Sequence, residues 1–143
     1  MNTIHVPPEM AIENKVLQLS RAESERGFVV LTMGYLETRL RVLIQKRRDL
    51  DGCIKELRAT GMLPANLIEN LDHMRKARNV FAHEWDVSSL DHERVKQHID
   101  SLRVDPKWVM PERHHSKAYV SNVLAYTASE INREIVTREI ESV

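Results

Sequence analysis

The chain has 143 residues, 42% of them hydrophobic and 29% charged, which suits one folded domain with one core and excludes a disordered chain or two full-sized domains. Its 21 basic and 21 acidic residues cancel, so no overall field draws it to DNA or to an anionic membrane, and any nucleic-acid contact must come from a local patch. The single cysteine, Cys53, excludes an intrachain disulfide, fits a reducing compartment and reads as a small apolar filler.

Residues Met1 to Met10 lack the basic start and apolar run of a signal peptide. The longest near-apolar stretch, Phe28 to Leu36, is about half of what a membrane span requires. A cytosolic protein with no membrane partner is expected. Ile12, Val16 and Leu19 recur at helical spacing and predict a first helix over Glu9 to Leu19. Ser20-Arg21-Ala22-Glu23 has the form of a capping box and predicts the start of a second, long helix. Its stripe is Val29, Met33, Leu36, Leu40 and Leu43, widened by Phe28, Val30, Leu31 and Ile44. A helix that is apolar almost all round is buried on several sides, so this one is expected at the centre of a bundle. Gly27 and Gly34, on nearly one face, would let a neighbour approach closely.

Arg39, Arg41, Lys46, Arg47 and Arg48 follow with no acid among them. Such cations complement the dipole at a helix C-terminus and are solvated, or they face RNA. Asp49 to Thr60 predicts a short helix stopped by Gly61, and Pro64 opens the next as a first-turn residue. The stripe of that helix is Leu67, Leu71 and Met74. After a polar stretch from Glu84 to Leu90, Asp91 to Leu102 predicts another short helix. Asp105-Pro106 and Met110-Pro111 bracket a loop in which Trp108 and Met110 read as lids on the core. Ser116 to Ser142 predicts a long closing helix carrying Val120, Leu124, Ile131 and Ile135. No segment alternates with a period of two, so the expected fold is a single all-α bundle of about five to six helices, two of them long. The seven histidines show no pair at zinc-site spacing, and no metal or other cofactor is expected.

One residue departs from the core pattern. The stripe Leu67, Leu71, Met74 continues onto Arg78 and then Phe81. An arginine at a core position is costly unless it is paired or lines a polar cleft. Either Arg78 pairs with an acid such as Glu37, with His83 capping the helix end, or the two mark a site. Arg78, Asn79 and His83 join a fixed cation, an amide and an imidazole. Those groups suit metal-free cleavage of an RNA phosphodiester. An imidazole can take the proton of the ribose 2′-hydroxyl, and in a partner copy it can protonate the leaving 5′-oxygen. A guanidinium can hold the phosphate through two hydrogen bonds.

Arg78-Asn79-Val80-Phe81-Ala82-His83 resembles the R-x4-6-H motif of the HEPN superfamily, in which a polar residue follows the arginine. Ser24-Glu25-Arg26-Gly27, leading into Gly34-Tyr35-Leu36-Glu37, resembles the S-D-R-G … Y-L-D/E pattern of the mannitol operon repressor (MltR) family, a HEPN-like group. Leu71 to His83 is similar to the helix of that family that ends in R-N-x-F-A-H. The resemblance spans roughly residues 20 to 103. It implies a bundle that dimerises with two motifs across one cleft. Arg78 and His83 would then cut RNA, with Asn79 orienting the site and a regulatory protein as a further partner. Arg39, Arg41, Lys46, Arg47 and Arg48, with Arg75 and Lys76 on the motif helix, are the candidate RNA-binding cations. The alternative is a non-catalytic MltR-like transcriptional regulator that binds protein or nucleic acid. HEPN toxins often carry a tyrosine two residues after the histidine as an adenylylation target; Trp85 stands there, so that control does not carry over. No helix here looks like a DNA-recognition helix with a flanking basic arm.

Overall fold

The hydroxyl of Ser24 sets the start of the first described helix. It accepts from the Gly27 amide at 3.1 Å, and α1 runs from there as Glu25–Ile44. The computed structural model describes residues 23–113, 115–138 and 140. The expected helix Glu9 to Leu19 and the Ser20 end of the expected capping box lie outside them. Glu23, the other end of that box, precedes the helix, and the cap is Ser24 because its oxygen is the one that meets an unsatisfied first-turn amide. Helix α2, Leu50–Thr60, is capped in the same way by Asp49, which accepts from the Gly52 amide at 2.8 Å. Gly61 ends it at a φ of 67°, a left-handed conformation that favours glycine.

Helix α3, Ala65–His83, equals α1 and α5 in scale because neither proline nor glycine interrupts it. Pro64 stands just outside it, not in its first turn, with its carbonyl receiving the amides of Leu67 and Ile68 at 3.1 and 3.2 Å. Helix α4, Glu93–Asp100, is shorter than the expected Asp91 to Leu102, since the ring of His92 takes the Arg94 amide at 3.2 Å and so fixes the start. Helix α5, Lys117–Thr137, is capped by Ser116 and stops short of the expected Ser142; residues 141–143 are outside the described part. These five helices, with no strand among the described residues, make an all-α bundle. None is long and apolar enough to cross a membrane.

Helix α1 lies at the centre, packed against α2, α3 and α5, while α3 packs against α1, α2 and α4. The α1 stripe Val29, Met33, Leu36, Leu40 and Leu43 is buried throughout and meets Ile54, Leu57, Leu71, Met74 and Phe81 from its neighbours. The helix is buried on several sides as expected, but its apolar girdle is not covered throughout: Val30 and Leu31 are 44% and 42% exposed. Three neighbours cover the faces through Phe28, Met33 and Leu36, and among the described residues no helix packs on the side carrying Val30, Leu31 and Gly34. A side chain at Gly34 would meet nothing within 4 Å, and one at Gly27 would meet only Glu23 and Ser24, so neither glycine serves a close helix approach.

Two buried amides tie the bundle together. Asn70 on α3 donates to the Arg103 carbonyl and accepts from the Arg103 amide, both at 2.7 Å. Asn132 on α5 accepts from Arg39 at 2.7 Å and donates to the Tyr35 hydroxyl at 3.2 Å. Trp108 stacks on Tyr126 with ring centroids 4.8 Å apart, and Trp108 and Met110 pack against the core as lids. Cys53 is fully buried, and burial pushes its thiol pKa up, as an inert filler requires.

The α3–α4 contact is expected to weaken in acid through His98. Burial, then the charges of His73 and Lys76, hold the His98 pKa below its ordinary value, against a smaller opposing effect of Asp72. The buried Nδ1 of His73 has no hydrogen-bond partner among the described residues. Because folding lowers the His98 pKa, the unfolded chain takes up the proton first. The neutral ring's contribution is complete above pH 6.5, the ordinary value, and is lost as pH falls from there through the lower folded value. The melting temperature is expected to drop between pH 7.5 and pH 5.5, and His98→Asn to flatten that drop, as followed by circular dichroism.

Candidate functional site

The motif occupies the last turn and a half of α3. Ala77 and Phe81 are fully buried and fix the helix face, which leaves Arg78 at the edge of the core. Its side chain is 25% exposed, so the extra step of the stripe ends on a half-open position and not in the interior. Arg78 Nη1 lies 3.5 Å from Glu37 Oε2 on α1, and Nη2 lies 3.4 Å from Asn79 Oδ1. Both contacts are at the long limit of a hydrogen bond. Arg41 is the closer partner of Glu37, at 3.0 Å. A guanidinium carries five N–H donors, so Arg78 keeps most of its donor capacity unspent.

Asn79 and His83 are four residues apart and share one helix face, whereas Arg78 lies about 140° round the axis from His83. The guanidinium touches Asn79 at 3.4 Å, and Asn79 is the residue that shares the imidazole's side of the helix. His83 is the last residue of α3, not the first beyond it, because the Glu84 amide still reaches the Val80 carbonyl at 2.9 Å. It is exposed, and among the described residues its ring has no hydrogen-bond or ion-pair partner. This is a fixed cation, an amide and an open imidazole at one helix end. It can bind an anion and exchange a proton with it. No three His, Cys, Asp or Glu side chains gather for a metal among the described residues.

The candidate RNA-binding cations do not form one surface. Arg39 turns to Asn132 on α5, while Arg41, about 160° away round α1, bridges Glu37 and the Arg48 carbonyl, the latter at 2.7 Å. Lys46 pairs with Glu56 at 2.6 Å. Arg41, Lys46 and Arg47 do come together along an open groove of about 500 Å³ with Thr38, Val42 and Gln45. Arg48 is exposed in the turn beyond it. Arg75 and Lys76 are both drawn to Asp72, at 2.9 and 3.5 Å, and Arg58 reaches the same carboxylate at 3.2 Å. Burial raises the Asp72 pKa, but the hydrogen bonds from Arg75 and Arg58 and the nearby charges outweigh it and leave the group below the usual carboxylate range.

Local spacing did not reveal the clamp on the segment after the motif. Arg26 Nη1 donates to the Trp85 carbonyl at 2.7 Å. Glu25 Oε1 accepts from the Leu90 amide at 2.9 Å and from the Ser89 hydroxyl at 3.2 Å. Lys117 Nζ holds the Glu23 carbonyl at 2.7 Å. Ser24-Glu25-Arg26-Gly27 is thus a helix cap followed by two anchors for residues 85 to 90. Its only sequence signal was the family-like pattern, which assigns no role to either anchor. The chain matches no family model, no curated protein and no solved structure.

Proposed function

We propose that this chain is a HEPN-type, MltR-like protein that cleaves RNA without a metal, acting as a cytosolic homodimer through Arg78, Asn79 and His83. The observation that supports it is Arg78 held only by long contacts to Glu37 and Asn79, on the same helix end as an exposed imidazole that has no partner among the described residues. Neutral His83 takes the proton of a ribose 2′-hydroxyl as that oxygen attacks the adjacent phosphorus. The bond from phosphorus to the 5′-oxygen breaks, and the leaving oxygen takes a proton from the imidazolium of a second copy. The products are a 2′,3′-cyclic phosphate and a 5′-hydroxyl. Arg78 neutralises charge on the non-bridging oxygens, with two parallel donors matched to two oxygens. A regulatory protein that covers the cleft would silence the activity.

The contact of Arg78 with Glu37 favours a second reading, a non-catalytic regulator in which the motif only ties α3 to α1. Single-stranded RNA incubated with the protein in EDTA separates the two. Wild type is expected to release cyclic-phosphate ends, and His83→Ala to lose about 10²–10⁴ in rate. Equal and intact RNA with both proteins leaves the regulator.

A further inference from the structure

Trp85 is the most exposed large apolar side chain among the described residues, at 83%. The backbone around it is nonetheless pinned. Arg26 holds its carbonyl at 2.7 Å, Glu84 receives a turn bond from Val87 at 3.0 Å, and Val87 and Leu90 are buried on the far side. The chain can cover an indole when the fold uses it, as Trp108 stacked on Tyr126 shows. At position 85 it presents the ring to solvent on a fixed support. Its exposed sequence neighbours Ala82, His83, Asp86 and Ser88 are small or polar, so no apolar run flanks the indole along the chain. That suits one flat ring better than the apolar core of a protein interface. Arg26, beside it, spends one donor on a carbonyl and has no carboxylate partner among the described residues, so its charge is not neutralised.

An exposed π-face on a pinned backbone, a guanidinium with no carboxylate partner among the described residues and an imidazole two residues away are complementary to one nucleotide with its base unstacked. Resting on the RNA-cleaving reading above, we infer that Trp85 is the platform on which an unpaired base of the substrate stacks, while Arg26 takes a neighbouring phosphate. Bases within a duplex are already stacked and paired, so the platform selects single-stranded RNA. Asp86 opposes the negative backbone and sets a limit on affinity.

The test uses a Trp108→Phe background, in which Trp85 is the one remaining indole of the two in the chain, and an oligonucleotide made uncleavable by 2′-deoxy substitution at the scissile position. The single-stranded probe is expected to quench Trp85 fluorescence, and a hairpin of the same composition to leave it unchanged. Trp85→Ala is expected to raise KM for single-stranded RNA by about 5- to 150-fold, the range of one base-stacking contact, with kcat changed far less. Trp85→Phe recovers most of that loss, and Asp86→Asn lowers KM. If Trp85→Ala binds and cleaves like wild type while His83→Ala is inactive, the platform is wrong and the nuclease reading stands. If wild type neither binds nor cleaves any RNA, the nuclease reading falls first and takes the platform with it. A dimer that dissociates in sedimentation on Trp85→Ala makes the residue a protein contact and overturns the inference.

Discussion

Alanine at Arg78 is expected to slow RNA cleavage by about 10²–10³-fold, the usual loss when one donor to a developing oxyanion is removed, whereas Glu37→Gln costs less than about tenfold. The two residues touch at 3.5 Å, and their side chains are 25% and 17% exposed. If the contact were the purpose of Arg78, both variants would act on the fold alone and by similar amounts. Arg41 stays paired with Glu37 at 3.0 Å when Arg78 is removed, and a glutamine at 37 keeps an acceptor oxygen, so neither substitution should move the urea midpoint far. The proposed site predicts an asymmetry in rate with near symmetry in stability. Arg78→Lys sharpens the comparison, since it keeps the charge and loses the two-donor fork. Single-turnover cleavage of a short RNA, with the urea midpoint of each variant, checks all three. Equal rates for the arginine and alanine proteins, at equal stability, would remove Arg78 from the chemistry.

Phe81→Ala is expected to cost about 3–5 kcal/mol, the range for emptying a fully buried aromatic site. Phe81 has no exposed surface and lies between Arg78 and His83 on the helix that meets α1, α2 and α4. A domain of this size is stable by about 5–15 kcal/mol, so this one substitution removes a large share of the total. Urea denaturation should show a lower midpoint with an unchanged slope, the mark of lost stability without a change in surface exposed. Phe81→Leu keeps most of the volume and should recover much of the loss. A near-normal midpoint for the alanine variant would mean that the motif helix is not anchored through this ring.

The parts of the molecule that follow a local period were legible. The steps of four and three from Val29 to Leu43 gave a buried face with no exception, and the same spacing marked Arg78 as out of place. What the period could not supply was how much of a position its neighbours cover. Val30 and Leu31 look as apolar as Val29, yet no helix among the described residues lies on their side and they are exposed. The run of cations misled for a related reason. Lys46 has Asp49 and Asp51 close by in sequence, yet its ion pair is with Glu56 in the next helix, and Asp72 collects Arg58, Arg75 and Lys76. Asn70 was within reach, since it falls on the stripe from Leu67 to Phe81 and a buried amide there needs two partners. Its partner Arg103 lies 33 residues on, and no local pattern names it. The site is intermediate. Its three side chains were visible as a motif, while the anchors Glu25 and Arg26 act across 59 to 65 residues.

Those anchors grip the segment after the motif mostly by its main chain, at the Trp85 carbonyl and the Leu90 amide. Only the Ser89 hydroxyl adds a side-chain hold. Positions 85, 86 and 88 are therefore interchangeable in a way that core positions are not. Their side chains can be swapped without loosening the frame that holds them beside His83. If the tip receives RNA as proposed, the bundle is a fixed handle with an exchangeable tip, and libraries confined to those three positions are the natural way to change what it accepts while the fold stays untouched.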